Sequence, residues 1–200
     1  LYTLVCLLVA HRFTTAGRRR PSLPQMDDHR VTFAARDGRA QVAAWYLPAK
    51  PRLGAVVFVH GKDACRGQEV KAPTIEFAGA MQAAGLSVLM IDLRGHGDSA
   101  WSDAGAYDIR DFAADLVALA SGMDRKPALV GASLGGLAGL LAEGELAHGS
   151  FASLTLVDIA PRMEPDGVMR VVGFMEQHVE TGFASPDEAA GVIARYMPHR

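Results

Sequence analysis

Cysteine is nearly absent from this chain. Cys6 and Cys65 are the only two in 200 residues. So distant a pair builds no disulfide framework, and no zinc-type Cys/His spacing accompanies it. No metal and no cofactor is therefore expected. An excess of charge is missing too: 20 Lys and Arg stand against 22 Asp and Glu, a net of −2. That balance gives no electrostatic case for binding nucleic acid. Internal repeats are lacking, and so is any apolar run of the roughly 20 residues that a bilayer-spanning helix needs.

The longest candidate, Leu1–Ala10, is too short and is followed by Arg12 and Arg18-Arg19-Arg20. It reads either as the tail of a membrane anchor or signal segment, with the arginines on the cytoplasmic side, or as an unstructured leader. There is no initiating Met, and Pro21-Ser22-Leu23-Pro24 reads as a linker. Residues 1–30 are accordingly set apart as leader and linker. A cytoplasmic location is expected, with membrane attachment through this end as the alternative.

What is present is apolar. Half of the residues are hydrophobic, ample for the core of one domain. The most informative segment is Gly131-Ala132-Ser133-Leu134-Gly135, directly after the apolar run Pro127–Val130. It is a G-x-S-x-G motif with a strand before it and a helical stretch, Leu134–Glu143, behind it, the context that a nucleophile elbow requires. A serine on so sharp a turn sits in a strained backbone, and its neighbours must carry almost no side chain. The turn lifts the Ser133 hydroxyl clear of the sheet edge, where a base and a carbonyl can both reach it.

Ala55–Val59 and Leu86–Ile91 are continuous apolar runs, expected as strands buried on both faces. Ser153–Val157 is read as another. Helical stretches at about 73–84 and 109–121 separate them, so the sheet should be mostly parallel with helices on both faces. Val31–Ala35 and Ala40–Leu47 flank Asp37-Gly38, an antiparallel hairpin signal. Ligands of such sheets bind at the carboxyl ends of the strands, where His60, Asp92, Ser133 and Asp158 all fall. After Pro161 the pattern changes to two amphipathic helices, 166–180 and 186–196.

His60-Gly61 after one strand, Asp92-Leu93-Arg94-Gly95-His96-Gly97-Asp98-Ser99 after the next, and then the G-x-S-x-G motif together resemble the α/β-hydrolase fold family. The resemblance runs from about Val31 to Arg200. The DLRGHGDS turn and the later LVDIAP segment are most similar to its epoxide-hydrolase-like and cofactor-free haloperoxidase-like branch. There the nucleophile of true epoxide hydrolases is an aspartate; Ser133 implies acyl chemistry instead. The resemblance implies an α/β-hydrolase core over 31–161, lacking its last strands, and the start of a helical cap over 162–200.

It also implies roles. Ser133 and Asp158 are the catalytic candidates, as nucleophile and acid, Asp158 standing equally as a loop-bracing carboxylate. The oxyanion donors would be the backbone N–H groups of Leu134 and Lys62, such donors being worth about 3–4 kcal/mol each. The Lys62 side chain is either solvated or biases the pocket toward anionic substrates. His60, Gly61, Arg94 and His96 would brace the loops, Arg94 and Asp98 by local polar contacts. His60 is rejected as the base because the family order is serine, acid, histidine.

The downstream histidines do not supply that base. His148 precedes the acid, His178 falls on a cap helix, and His199 has no strand before it. The base and the last strands are thus expected beyond Arg200, and the chain reads as a weak or inactive fragment cut at both ends. The expected activity of the family member is cleavage of a carboxylic ester or similar small acyl substrate through an acyl-enzyme on Ser133. Perhydrolysis and carbon–carbon bond hydrolysis share the same residues. A non-catalytic pseudo-hydrolase is the alternative of another class. Neither oligomeric state nor substrate identity follows from the sequence.

Overall fold

The strand-forming runs pair into a single six-stranded sheet. In the computed structural model of the protein, residues 29–38, 40–62, 64–66, 72–178 and 181–196 are described. The strands are β1 (Arg30–Ala34), β2 (Gln41–Leu47), β3 (Gly54–Val59), β4 (Leu86–Ile91), β5 (Ala128–Ala132) and β6 (Ser153–Val157), in the order β1-β2-β4-β3-β5-β6. β1 and β2 form the antiparallel hairpin, and β2 runs antiparallel to β4. The β4-β3-β5-β6 part is parallel. The helices are α1 (Ala72–Ala83), α2 (Ile109–Ser121), α3 (Leu134–Leu141), α4 (Pro165–Glu176) and α5 (Pro186–Tyr196). The fold is the expected α/β arrangement.

Successive side chains of a strand point to opposite faces, and both faces of the central strands are covered. Leu89 and Ile91 of β4 join Val57, Val59 and Leu129 in a core closed by Phe112 and Leu116 of α2 and Ala138 of α3. Val88 and Met90 point the other way, to Trp45, Leu47 and Ala78 of α1. That double burial is why β3 and β4 lack polar alternation.

β6 departs from the expectation. Ser153, Thr155 and Val157 are exposed while Leu154 and Leu156 are half-buried. Among the described residues β6 pairs only with β5. It is an edge strand with one covered face, and its S-L-T-L-V alternation is the pattern of such a strand. The helix after the elbow covers the expected stretch to Glu143 and runs beyond it, changing its winding on the way. α3 passes at Ala142 into a π turn, Ala142–Leu146, where the Ala147 N–H reaches back to the Ala142 carbonyl at 2.9 Å. Glu143 then accepts from the Gly149 and Phe151 N–H groups at 2.5 and 3.2 Å, fixing the entry to β6.

The chain divides into two compact units, 22–161 and a second containing 162–200. In the second, Phe174 of α4 stacks on Tyr196 of α5 at 4.1 Å, and Ala189 and Val192 are its buried α5 residues. No helix among the described residues is long and apolar enough to cross a membrane. Cys65 is half-buried. Cys6, the leader and the linker lie outside the described residues.

Candidate active site

The parallel register brings four loop starts to one edge. Val59 lies opposite both Ile91 and Gly131, and Ala132 opposite Val157. His60, Asp92, Ser133 and Asp158 are the next residues out of β3, β4, β5 and β6.

Ser133 is held at φ 44°, ψ −111°, a conformation of neither helix nor strand. Its N–H still donates to the Val157 carbonyl at 3.0 Å, and its carbonyl already accepts from the Leu137 N–H at 2.9 Å. The serine is therefore the single joint between the β5 ladder and α3. The two glycines make the joint possible. A Cβ on Gly131 would lie 2.6 Å from backbone atoms of Gly135 and Gly136, and one on Gly135 would lie 2.6 Å from the Val59 carbonyl. Such strain costs of order 1–3 kcal/mol. Ser133→Gly should relieve it and raise stability by about 1 kcal/mol, net of the extra chain entropy of glycine. A urea midpoint shifted upward checks this.

His60 is buried, and both its ring nitrogens are engaged. Nε2 lies 2.9 Å from the Leu93 backbone nitrogen, which can only donate, so Nε2 is the unprotonated acceptor. Nδ1 therefore carries the proton and donates to the Gly61 carbonyl at 2.7 Å. Burial pushes the imidazole down to about 3 from 6.5. The ring is a neutral brace with no nitrogen left for proton transfer. It also orients a peptide: the Gly61 carbonyl and Lys62 N–H share a trans plane, so pinning the carbonyl toward His60 directs that N–H away from it.

A folded-state value below the unfolded one means that the unfolded chain binds the proton first as the pH falls. His60 thus stabilises fully above about 6.5 and loses this contribution between 6.5 and about 3, with a slope of up to about 1.4 kcal/mol per pH unit. His60→Asn should remove that slope from stability measured between pH 7 and pH 4.

The DLRGHGDS turn is tied down from several elements. Asp92 Oδ1 accepts from the Arg66 N–H at 2.6 Å and Oδ2 from the Asp98 N–H at 2.8 Å. The Arg66 guanidinium pairs with Asp92 and, at 2.7 Å, with Asp98. Burial pushes the Asp92 carboxyl above the usual carboxylate range, against the pull of Arg66. Ser99 Oγ donates to the Asp92 carbonyl at 2.7 Å and accepts from the Ala43 N–H at 2.8 Å. His96 donates through Nδ1 to the Arg94 carbonyl at 2.9 Å, and its ring lies 5.1 Å from that of His60.

Arg94 makes the expected local contact, to the Ala106 carbonyl at 3.2 Å, and reaches further as well. Its buried guanidinium grips Asp115 of α2 at 2.7 and 2.6 Å. It also reaches Asp37 of the hairpin turn at 3.2 Å, and Asp115 takes the Arg36 N–H at 3.0 Å. Arg94 brings the hairpin, the turn and α2 together. Sequence reasoning gave Arg66 and Asp115 no part. A signal existed for Asp115, an acid between Phe112 and Leu116 on the apolar stripe of α2, where only a paired charge can be buried.

Asp158 is exposed and adopts φ 55°, a left-handed conformation that Asp tolerates better than most residues. Because Val157 receives the Ser133 N–H, Asp158 emerges beside the elbow. His148 is 92% exposed in its side chain and pairs with Glu143 at 3.6 Å. It precedes β6, at the sheet edge opposite Ser133. His178 packs on Phe183 at 4.4 Å in the second unit, and His199 lies outside the described residues. Among those residues neither Ser133 Oγ nor the Asp158 carboxylate is hydrogen-bonded to a histidine. No cluster of His, Cys, Asp and Glu among them could hold a metal.

The sequence matches the model of the alpha/beta hydrolase family over residues 56–199. No curated protein matches. An epoxide hydrolase from Vigna radiata superposes with a TM-score of 0.58 at 18% identity, over 75% of this chain and 46% of that one. An alpha/beta hydrolase from Novosphingobium aromaticivorans gives 0.58 at 24%, over 72% and 48%. A Burkholderia cenocepacia protein provisionally described as an aryl esterase gives 0.55 at 30%, over 68% and 49%. The chain spans about half the length of these structures.

Proposed function

This chain belongs to the alpha/beta hydrolase family, and from that premise we propose that it carries the nucleophile and oxyanion site of a serine hydrolase acting on carboxylic esters or similar acyl substrates. The strained backbone of Ser133 carries this reading. Ser133 Oγ attacks the carbonyl carbon while its proton passes to a base. The carbonyl oxygen becomes an oxyanion facing the N–H groups of Leu134 and Lys62. The first stands at the start of α3, where the helix dipole favours negative charge. The second is oriented by the His60–Gly61 hydrogen bond. Collapse expels the alcohol, which takes the proton, and leaves an acyl group on Ser133. Water then repeats the sequence, releasing the acid and restoring the serine.

Asp158 is assigned as the acid of this site by its place at the end of β6. α4 and α5 are assigned as the beginning of a helical cap. The second unit exposes the apolar side chains Met163, Met169, Val171 and Val172. Hydrolysis of p-nitrophenyl esters of increasing acyl length is the test. Ser133→Ala should remove whatever ester hydrolysis the unaltered chain shows, while the variant stays folded. An equal rate in the variant would remove Ser133 from the mechanism.

A further inference from the structure

The loop after β3 carries one of the two proposed oxyanion donors, the Lys62 N–H, and it is fixed at two places. The first is His60-Gly61. The Gly61 carbonyl accepts from His60 Nδ1 at 2.7 Å and from the Ala64 N–H at 3.4 Å, and His60 Nε2 holds the Leu93 N–H. The second is Arg66, further along the same loop. Its N–H donates to Asp92 Oδ1 at 2.6 Å. Its guanidinium grips Asp92 Oδ2 and, at 2.7 Å, Asp98 Oδ2. The residue is only 5% exposed, and the guanidinium lies 4.7 Å from the centre of the Trp45 ring in β2. Asp92 is itself fixed, its N–H donating to the Ala43 carbonyl of β2 at 2.8 Å. The two anchors thus end on neighbouring residues, Leu93 and Asp92.

A buried ion pair is weak evidence for stability, since apolar side chains of the same volume often serve as well. What a guanidinium adds is direction: its donors stand in a rigid planar fork that fixes the stem behind it. On a strand such a post would be redundant, because the ladder already sets the backbone. Arg66 stands outside the strands and helices, where no ladder does so. We propose that Arg66 is a positioning residue of the oxyanion site. By clamping the far side of the loop to Asp92, it keeps the Lys62 N–H where His60 and Gly61 aim it, against the drift that a single anchor would allow. The inference rests on the serine-hydrolase reading, and it gives Arg66 no contact with the substrate.

Saturable labelling of Ser133 by a fluorophosphonate, followed by mass spectrometry of the intact chain, yields a maximal rate and a half-saturating concentration. Arg66→Met should lower the maximal rate about a hundredfold, the effect of a group displaced by roughly 1 Å. The half-saturating concentration should hold, and each folded chain should still take one adduct on Ser133. Arg66→Lys keeps a cation beside Asp92 without the fork, and its rate should fall between the two. Arg66→Met also leaves Asp92 buried without its cation, so Arg66→Met/Asp92→Leu is made beside it. A positioning role predicts that the urea midpoint recovers in the double variant while the labelling rate stays low. Recovery of both would mean that Arg66 only neutralises Asp92, and would overturn the proposal. So would an unaltered rate in Arg66→Met, which leaves the serine reading standing. No adduct on the unaltered chain would instead remove that reading, and this inference with it.

Discussion

Gly135→Ala destabilises the protein by about 3 kcal/mol, at the upper end of ordinary overpacking, and abolishes reaction at Ser133. The added methyl would lie 2.6 Å from the Val59 carbonyl oxygen and 2.7 Å from that of His60. Both are backbone atoms at the end of a central strand, hydrogen-bonded or connected into the sheet on both sides, so they do not yield as a side chain does. The start of α3 moves instead. That displaces the Leu134 N–H from the proposed oxyanion position and slackens the turn that displays the serine. Gly79→Ala is the contrasting substitution. It sits in α1 with nothing within 4 Å of its new methyl, and it should stabilise by about 0.5–1 kcal/mol through helix propensity alone. Urea unfolding of the two variants, read with the rate of ester hydrolysis, separates a clash at the elbow from a general effect of replacing glycine.

Arg94→Met costs about 3–5 kcal/mol, because it leaves a buried carboxylate without its cation. Asp115 is only 4% exposed and Arg94 only 2%. Methionine fills the volume of the arginine stem but offers no donor, so Asp115 keeps only the Arg36 N–H. The double variant Arg94→Met/Asp115→Leu should recover a large part of the loss, since both charges are then gone. Its remaining deficit reports the Arg36 N–H, left without its acceptor. If the single and double variants unfold at the same urea concentration, the pair is not what holds the DLRGHGDS turn against α2.

The sheet was legible because its central strands are buried twice. Val56–Val59 and Val88–Ile91 need apolar residues on both faces, and such runs bounded by helical stretches leave little choice of topology. The elbow was legible for a related reason, since a turn that closes on itself at Gly131 and Gly135 admits few other residues. β6 is less legible, because Ser153–Val157 is short and alternates polar with apolar residues; among the described residues it pairs with β5 alone. The supports of the site were the least visible. Arg94 to Asp115 and Arg66 to Asp92 are contacts between elements far apart in sequence, and a charge on an apolar helix face points to a partner without naming it. Those buried pairs tie the DLRGHGDS turn to the loop after β3 and to α2.

The most direct measurement is mass spectrometry of the intact chain after exposure to a fluorophosphonate, with the adduct located by peptide mapping. The account predicts one covalent adduct per chain, on the peptide bearing Ser133, and none in Ser133→Ala. A folded chain that takes no adduct, or takes it on another residue, would contradict the claim that the elbow presents an activated nucleophile.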